Sequence, residues 1–315
     1  MRLDACLPPQ LRGAGTTITK IAAGLSGAGV YRVDANGSAY VLKVADEEHP
    51  LVQWQRTLFI LRAASDASLA PRLIHADESR RAIVSEFVSD QSFPRFYRDP
   101  RTQDAALTLL GETLRSVHAL PIPPDAMSFR PLELLGTMWS GVPSNTTFPR
   151  FVTDAVQRAL TEQPPLAERP LVLSHNDPNP TNLVLDEDRI VLVDWDTAAP
   201  NHPLYDLAVV SLFSRMNAEM CRRLIAVHDG APPAPLPPAF LYYRRLTGVM
   251  LGTGFLSFAR QAGHDGKPAP DTLEAVPPLA EFYQKLHSGA VNLGTGEGRW
   301  AFGLGLLKEA HALDA

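Results

Sequence analysis

The chain has 315 residues, 45% hydrophobic and 20% charged, with 29 basic against 34 acidic side chains and a formal charge of −5. That length carries one large or two modest domains, and the mild acidic balance without a basic run speaks against a nucleic-acid surface. No apolar run approaches the ~18 residues that cross a bilayer, the opening MRLDACLPPQLRG is too interrupted for a secretory signal, and two distant cysteines, Cys6 and Cys221, form neither a disulfide framework nor a metal spacing, so a cytoplasmic setting is expected.

Thr16 to Ala22 and Val30 to Asp34 read as strands on either side of Gly24-Leu25-Ser26-Gly27-Ala28-Gly29. A glycine turn between strands lets backbone N–H groups approach phosphate oxygens unobstructed; a plain hairpin turn has the same composition. No Gly-Lys-Ser/Thr follows and no helix begins there, which excludes a Walker A loop. Asn36-Gly37 marks a hairpin turn, and Tyr40 to Val44 alternates as a strand with Lys43 embedded in it. Pro50 to Ala64 is expected to be a helix with Trp54, Leu58 and Leu61 packing on the sheet. Pro71 to His75 and Arg81 to Phe87 complete a five-stranded antiparallel sheet, and the first domain is expected to end at residue 88.

Asp104 to Leu120 is amphipathic, with Leu107, Leu110, Leu114 and Val117 on one face. Residues 129 to 163 divide into two helices at Gly141-Val142-Pro143-Ser144-Asn145. Proline clusters at Pro121 to Pro124, at Pro164-Pro165 and along 231–238 are flanked by periodic apolar segments and read as stiff connectors.

Leu171 to Asp206 carries the densest pattern: LVLSHNDPNPTNLVLDEDRIVLVDWDTAAPNHPLYD. The apolar run Leu171-Val172-Leu173 suits a buried strand and feeds into Ser174-His175-Asn176-Asp177-Pro178-Asn179-Pro180, where two prolines forbid regular structure. Leu183 to Leu185 and Ile190 to Val193 then form a hairpin about Asp186-Glu187-Asp188-Arg189. A hairpin brings its outer ends together, so Asn182 and Asp194 should lie side by side with Asp177 just upstream. Two hard oxygen ligands beside a separate carboxylate suit Mg²⁺, which takes one or two carboxylates plus substrate phosphates; the remaining carboxylate is free to accept a hydroxyl proton.

His175-x-Asp177-x-x-x-x-Asn182, the strand into Asp194-Trp195-Asp196, and Tyr205-Asp206-Leu207-Ala208 together resemble the aminoglycoside phosphotransferase and choline kinase-like family, small-molecule kinases of the protein-kinase-like fold. A protein kinase is expected to show Asp-Phe-Gly where this chain has Asp-Trp-Asp, and an Ala-Pro-Glu segment that is absent. The resemblance implies a two-lobed α+β fold, with a small antiparallel-sheet nucleotide lobe over 1–88 and a larger, mainly helical catalytic and substrate lobe over 89–315. It implies that Asp177 is the catalytic base, that Asn182 and Asp194 hold Mg²⁺, and that Lys43 with the turn at Ser26 and Gly27 holds the phosphates of ATP. His175 braces the loop, Asp206 supports it, and Asp196 either touches the metal indirectly or faces the substrate. The implied reaction moves the γ-phosphoryl to a hydroxyl of a small molecule, with cationic acceptors such as choline, thiamine or an aminoglycoside among the candidates; the rival is a silent nucleotide-binding or scaffold protein of the same fold.

In one place the sequence departs from the family. A glutamate is expected on the first helix as the partner of the lysine, yet the helix body offers only Gln53 and Gln55 before Asp66, which leaves a glutamine, Glu47 or Glu48 to reach Lys43. Helices over 238–261, 271–286 and 294–312 are expected to close the larger lobe, and the acceptor pocket has no legible signature among them.

Overall fold

The structure is a computed structural model that describes residues 2–21, 29–46, 48–143, 146–165, 169–267 and 270–313. The chain divides into two compact units, one of residues 1–127 and 172–200, the other of 128–171 and 201–315.

In the first unit, β1 (Thr17–Lys20), β2 (Gly29–Ala35), β3 (Ser38–Val44), β4 (Leu73–Asp77) and β5 (Ala82–Glu86) form an antiparallel sheet in the order β1-β2-β3-β5-β4. The five expected strands are all present. Side chains alternate across a strand, so Leu42 and Val44 of β3 face one way and Lys43 the other. Leu42 and Val44 join Val33, Ala82 and Val84 in a core closed by Cys6, Leu7 and Leu11, which come from two short 3-10 turns, Leu3–Cys6 and Pro9–Leu11. On the opposite face Ile83, paired across the ladder with Lys43, packs against Trp54 and Leu58 of α1 (Leu51–Asp66). Lys43 is thus an inward side chain on the α1 face.

After β5 the chain forms α2 (Phe93–Arg98) and α3 (Gln103–His118). Leu107, Leu110, Leu114 and Val117 of α3 are all but fully buried, and α3 packs on β6 (Val172–Ser174) and β8 (Arg189–Leu192). β8 pairs with β7 (Leu183–Asp186) across a two-residue turn that Glu187 enters with φ +55°; the Arg189 guanidinium closes it on the Asp186 carboxylate at 2.6 Å. A short β9 (Ala199–Asn201) pairs with β6.

The second unit is helical: α4 (Pro131–Ser140), α5 (Arg150–Thr161), α6 (Leu204–Phe213), α7 (Ala218–Asp229), α8 (Pro238–Gln261), α9 (Leu279–His287) and α10 (Gly296–Ala310). α8 is its axis and packs on α4, α5, α6 and α10. Its polar tie to α10 is buried: the Arg244 guanidinium donates to the Glu309 carbonyl at 2.5 Å and to the Glu309 carboxylate at 2.7 Å. The helix expected from Asp271 begins instead at Leu279, because Pro277-Pro278 withholds two donors and biases the preceding backbone to extended conformations. α2, α7 and β9 were not marked by the sequence pattern. Among the described residues no helix is long and apolar enough to cross a membrane.

Candidate active site

The hairpin geometry is as its sequence requires. Leu183 pairs with Leu192, the Val193 N–H donates to the Asn182 carbonyl at 3.0 Å, and Asp194 follows at once. Asp194 takes φ +63°, the left-handed region that Asp and Asn enter more readily than other side-chain-bearing residues, and opens a 3-10 turn over Trp195–Thr197. The turn is fastened on both sides of Asp196. Trp195 is buried, its indole N–H donates to the Leu192 carbonyl at 2.9 Å, and its ring meets His175 edge-on at 4.8 Å between centroids. The Thr197 hydroxyl donates to the His175 carbonyl at 3.0 Å.

The loop after β6 is bound to this turn from its own side. Asn176, also left-handed at φ +65°, donates its amide to the carbonyls of Thr197 at 2.8 Å and Ala199 at 3.2 Å. His175 is fully buried, and its Nε2 lies 3.1 Å from the Val193 carbonyl. A carbonyl can only accept, so that nitrogen carries the proton. These contacts fix the entry to Asp177.

Each Asp177 oxygen receives an amide donor: Asn179 Nδ2 at 2.9 Å on Oδ1 and Asn182 Nδ2 at 3.1 Å on Oδ2, the latter also donating to the Asp177 carbonyl at 2.9 Å. Desolvation is the largest influence and raises the Asp177 carboxyl above the ordinary carboxylate range. The Asn179 and Asn182 donors and His175 pull the other way, while the Asp194 charge adds to the rise. Asn179, between the two prolines, was not singled out by sequence; its position beside Asp177 is the only signal it offers. Both Asn182 amide bonds go to Asp177, which leaves its Oδ1 as the acceptor end of the side chain.

Lys43 Nζ lies 2.8 Å from Asp194 Oδ1 and 2.6 Å from Asp196 Oδ2. Burial disfavours the Lys43 charge, yet the Asp196 and Asp194 carboxylates outweigh it and hold the ammonium above its ordinary pKa. Among the described residues Lys43 meets the two aspartates after β8 and not a glutamine of α1, Gln55 donating instead to Glu78 at 3.1 Å. Glu47, like Ser26 and Gly27 of the glycine turn, lies outside the described residues.

Lys43, His175, Asp177, Asn182, Asp194 and Asp196 therefore all stand in the first unit, as does the segment after β5, where the Asp90 carboxylate accepts from the Leu185 N–H at 3.1 Å and the Gln91 N–H donates to the Leu185 carbonyl at 2.9 Å. Asp206 belongs to the second unit, fully buried in the first turn of α6. The second unit holds a cavity of about 580 Å³ lined by Met138, Phe148, Ser257 and Arg260 among others. None of the residues selected from sequence lines it.

Comparison with known proteins bears on the family and the fold. The model of the phosphotransferase enzyme family matches residues 17–230, whereas no curated protein sequence matches. Among solved structures, a choline/ethanolamine kinase family protein from Mesorhizobium loti is similar at 18% identity over 97% of this chain and 98% of its own, with a TM-score of 0.61. The choline kinase LicA from Streptococcus pneumoniae, also solved in complex with AMP, is similar at 16% identity over 92% of each chain, with a TM-score of 0.62. A thermostable mutant of an aminoglycoside phosphotransferase follows at 17% identity over 93% of each chain, with a TM-score of 0.57. The small antiparallel sheet and mainly helical remainder are those of the protein-kinase-like fold.

Proposed function

The chain belongs to the phosphotransferase enzyme family, and from that premise we propose that it is an ATP- and Mg²⁺-dependent kinase that moves the γ-phosphoryl to a hydroxyl of a small molecule. The observation that carries the reading is Asp177: a desolvated carboxylate, oriented by the amides of Asn179 and Asn182 and close enough to Asp194, the partner of Lys43, to feel its charge. Such a carboxylate can align an acceptor hydroxyl and take its proton as the phosphoryl leaves ATP. Each of its oxygens keeps a lone pair beyond the amide bond it accepts.

Among the described residues no cluster of three His, Cys, Asp or Glu side chains forms a metal cage. Mg²⁺ does not need one, because it is commonly held by one or two carboxylates with phosphate oxygens and water completing the shell. Asp194 with the Asn182 Oδ1 is such a set, and these two residues would hold the ion. When bound, Mg²⁺ neutralises charge on the transferring phosphates. Lys43 binds phosphate oxygens as a point charge, the buried His175 and Trp195 keep loop and turn in register, and most of the rate comes from positioning and charge complementarity. Residues 1–88 supply the nucleotide lobe and 89–315 the catalytic and acceptor lobe, in a cytoplasmic enzyme.

The test is Mg²⁺-dependent ADP release from ATP against a panel of choline, ethanolamine, thiamine, sugars and aminoglycosides. Asp177→Asn should keep nucleotide binding and lose roughly 100- to 10,000-fold in kcat. A variant with near-full turnover overturns the assignment of Asp177, and ATP binding with silence across all acceptors favours the scaffold reading.

A further inference from the structure

The first helix of this chain lacks the carboxylate that a phosphate-binding lysine needs as a fixed partner. α1 runs from Leu51 to Asp66 with no acidic residue before its last position, and Gln55 is committed to Glu78. A lysine with only 24% of its side chain exposed is costly without a partner, because a desolvated cation needs a counter-charge. Two carboxylates share that task here, but they are not equivalent. Asp194 has a second claim on it, since it is one of two residues that would hold Mg²⁺. Asp196 is not one of those two, makes the shorter contact with Lys43 at 2.6 Å, and sits on a turn bolted down at Trp195 and at Thr197.

We propose that Asp196 replaces the missing helix carboxylate: it is the positioning residue that retains the Lys43 ammonium by itself once Asp194 is drawn to the metal. The inference rests on the phosphotransferase reading for the purpose of the lysine, while the pairing on which it stands needs neither nucleotide nor metal. The lysine's anchor then lies not on α1 but on the short turn that follows Asp194.

The first experiment follows acetylation of the Lys43 amine by an N-hydroxysuccinimide ester, read by peptide mass spectrometry on the metal- and nucleotide-free protein. In Asp194→Asn, which imitates withdrawal of that carboxylate, labelling should stay within about twofold of the wild-type rate; in the Asp194→Asn, Asp196→Asn double variant it should rise about tenfold or more, as expected when a charge-assisted pair worth that factor is lost. Labelling of Asp194→Asn as fast as the double variant overturns the proposal. The second experiment is a double-mutant cycle on kcat/KM for ATP. Asp196→Asn should cost about tenfold in the wild-type background and nothing further in Lys43→Ala, because a residue acting through Lys43 has no effect without it; Asp196→Glu should recover part of the loss. Additive losses place Asp196 on the metal or acceptor instead and overturn the proposal. Failure of the broader phosphotransferase reading looks different: it removes turnover in the wild-type chain and leaves the labelling pattern intact.

Discussion

At the scale of single residues, the site depends on how Asp177 is solvated. Its carboxyl is raised above the ordinary carboxylate range because burial, with the Asp194 charge, penalises the anion more than His175 and the amides of Asn179 and Asn182 favour it. A base must be ionised to work, so activity is lost as pH falls through that raised pKa: the acid limb of kcat/KM should lie above the ordinary carboxylate range. Asn179→Ala removes a donor that favours the charged form, and the limb should then move to still higher pH with the alkaline side unchanged; a limb that stays in place would deny Asn179 its part. That Asp177, Asn182 and Asp194 come together could be read in the sequence, because their spacing about a strand–loop–hairpin frame is local. It did not disclose the partner of Lys43, because residues 43 and 196 meet only through the tertiary fold. A missing glutamate on α1 could be seen in the sequence; the carboxylate that answers it could not.

At the scale of elements, the five strands of the sheet and the hairpin of β7 and β8 were legible from alternation and turn residues, whereas α7 was not, although Asn217 caps it by accepting from the Met220 N–H and Gly230 closes it at φ +63°. The extreme case of hidden information is the contact of α8 with α10. A Cβ built on Gly252 would stand 2.8 Å from the Gly303 carbonyl oxygen, a backbone atom that cannot turn away, and one on Gly303 would stand 2.7 Å from the Gly252 oxygen. In sequence these residues look like helix weakeners, each costing about 1 kcal/mol against alanine. In the packed pair they set how near the axes come. Gly252→Ala should therefore lower stability by ~1–3 kcal/mol in urea denaturation, since overpacking exceeds the gain in helix propensity. Gly136→Ala in α4, where the nearest atom is a flexible Leu160 methyl at 3.7 Å, should instead raise stability by up to about 1 kcal/mol. Equal effects at the two positions would contradict this account of the interface.

At the scale of the molecule, the second unit is assembled from two stretches of chain, 128–171 and 201–315, and composition gives no hint of which residues join them. One tie is polar and specific: Arg169 holds Asp229 with both nitrogens at 2.8 Å, and His228 Nδ1 lies 2.8 Å from the same carboxylate. Burial alone would raise the Asp229 pKa, but the hydrogen bonds from His228 and Arg169 and the Arg169 charge outweigh it and hold the carboxyl well below the ordinary range. A carboxyl whose folded pKa lies below its unfolded value stabilises the fold above the unfolded pKa, and that contribution is lost as pH falls towards the folded one. Arg169→Ala should then cost ~1–2 kcal/mol at neutral pH, the pair being only partly shielded from solvent, and the cost should shrink as pH drops below the ordinary carboxylate range, because the wild-type chain loses the same interaction there. Urea denaturation followed across pH distinguishes this tie from simple loss of packing by the arginine stem. A cost independent of pH would assign it to packing; a cost that fades with acid assigns it to the ion pair that stitches residues 128–171 to the C-terminal helices.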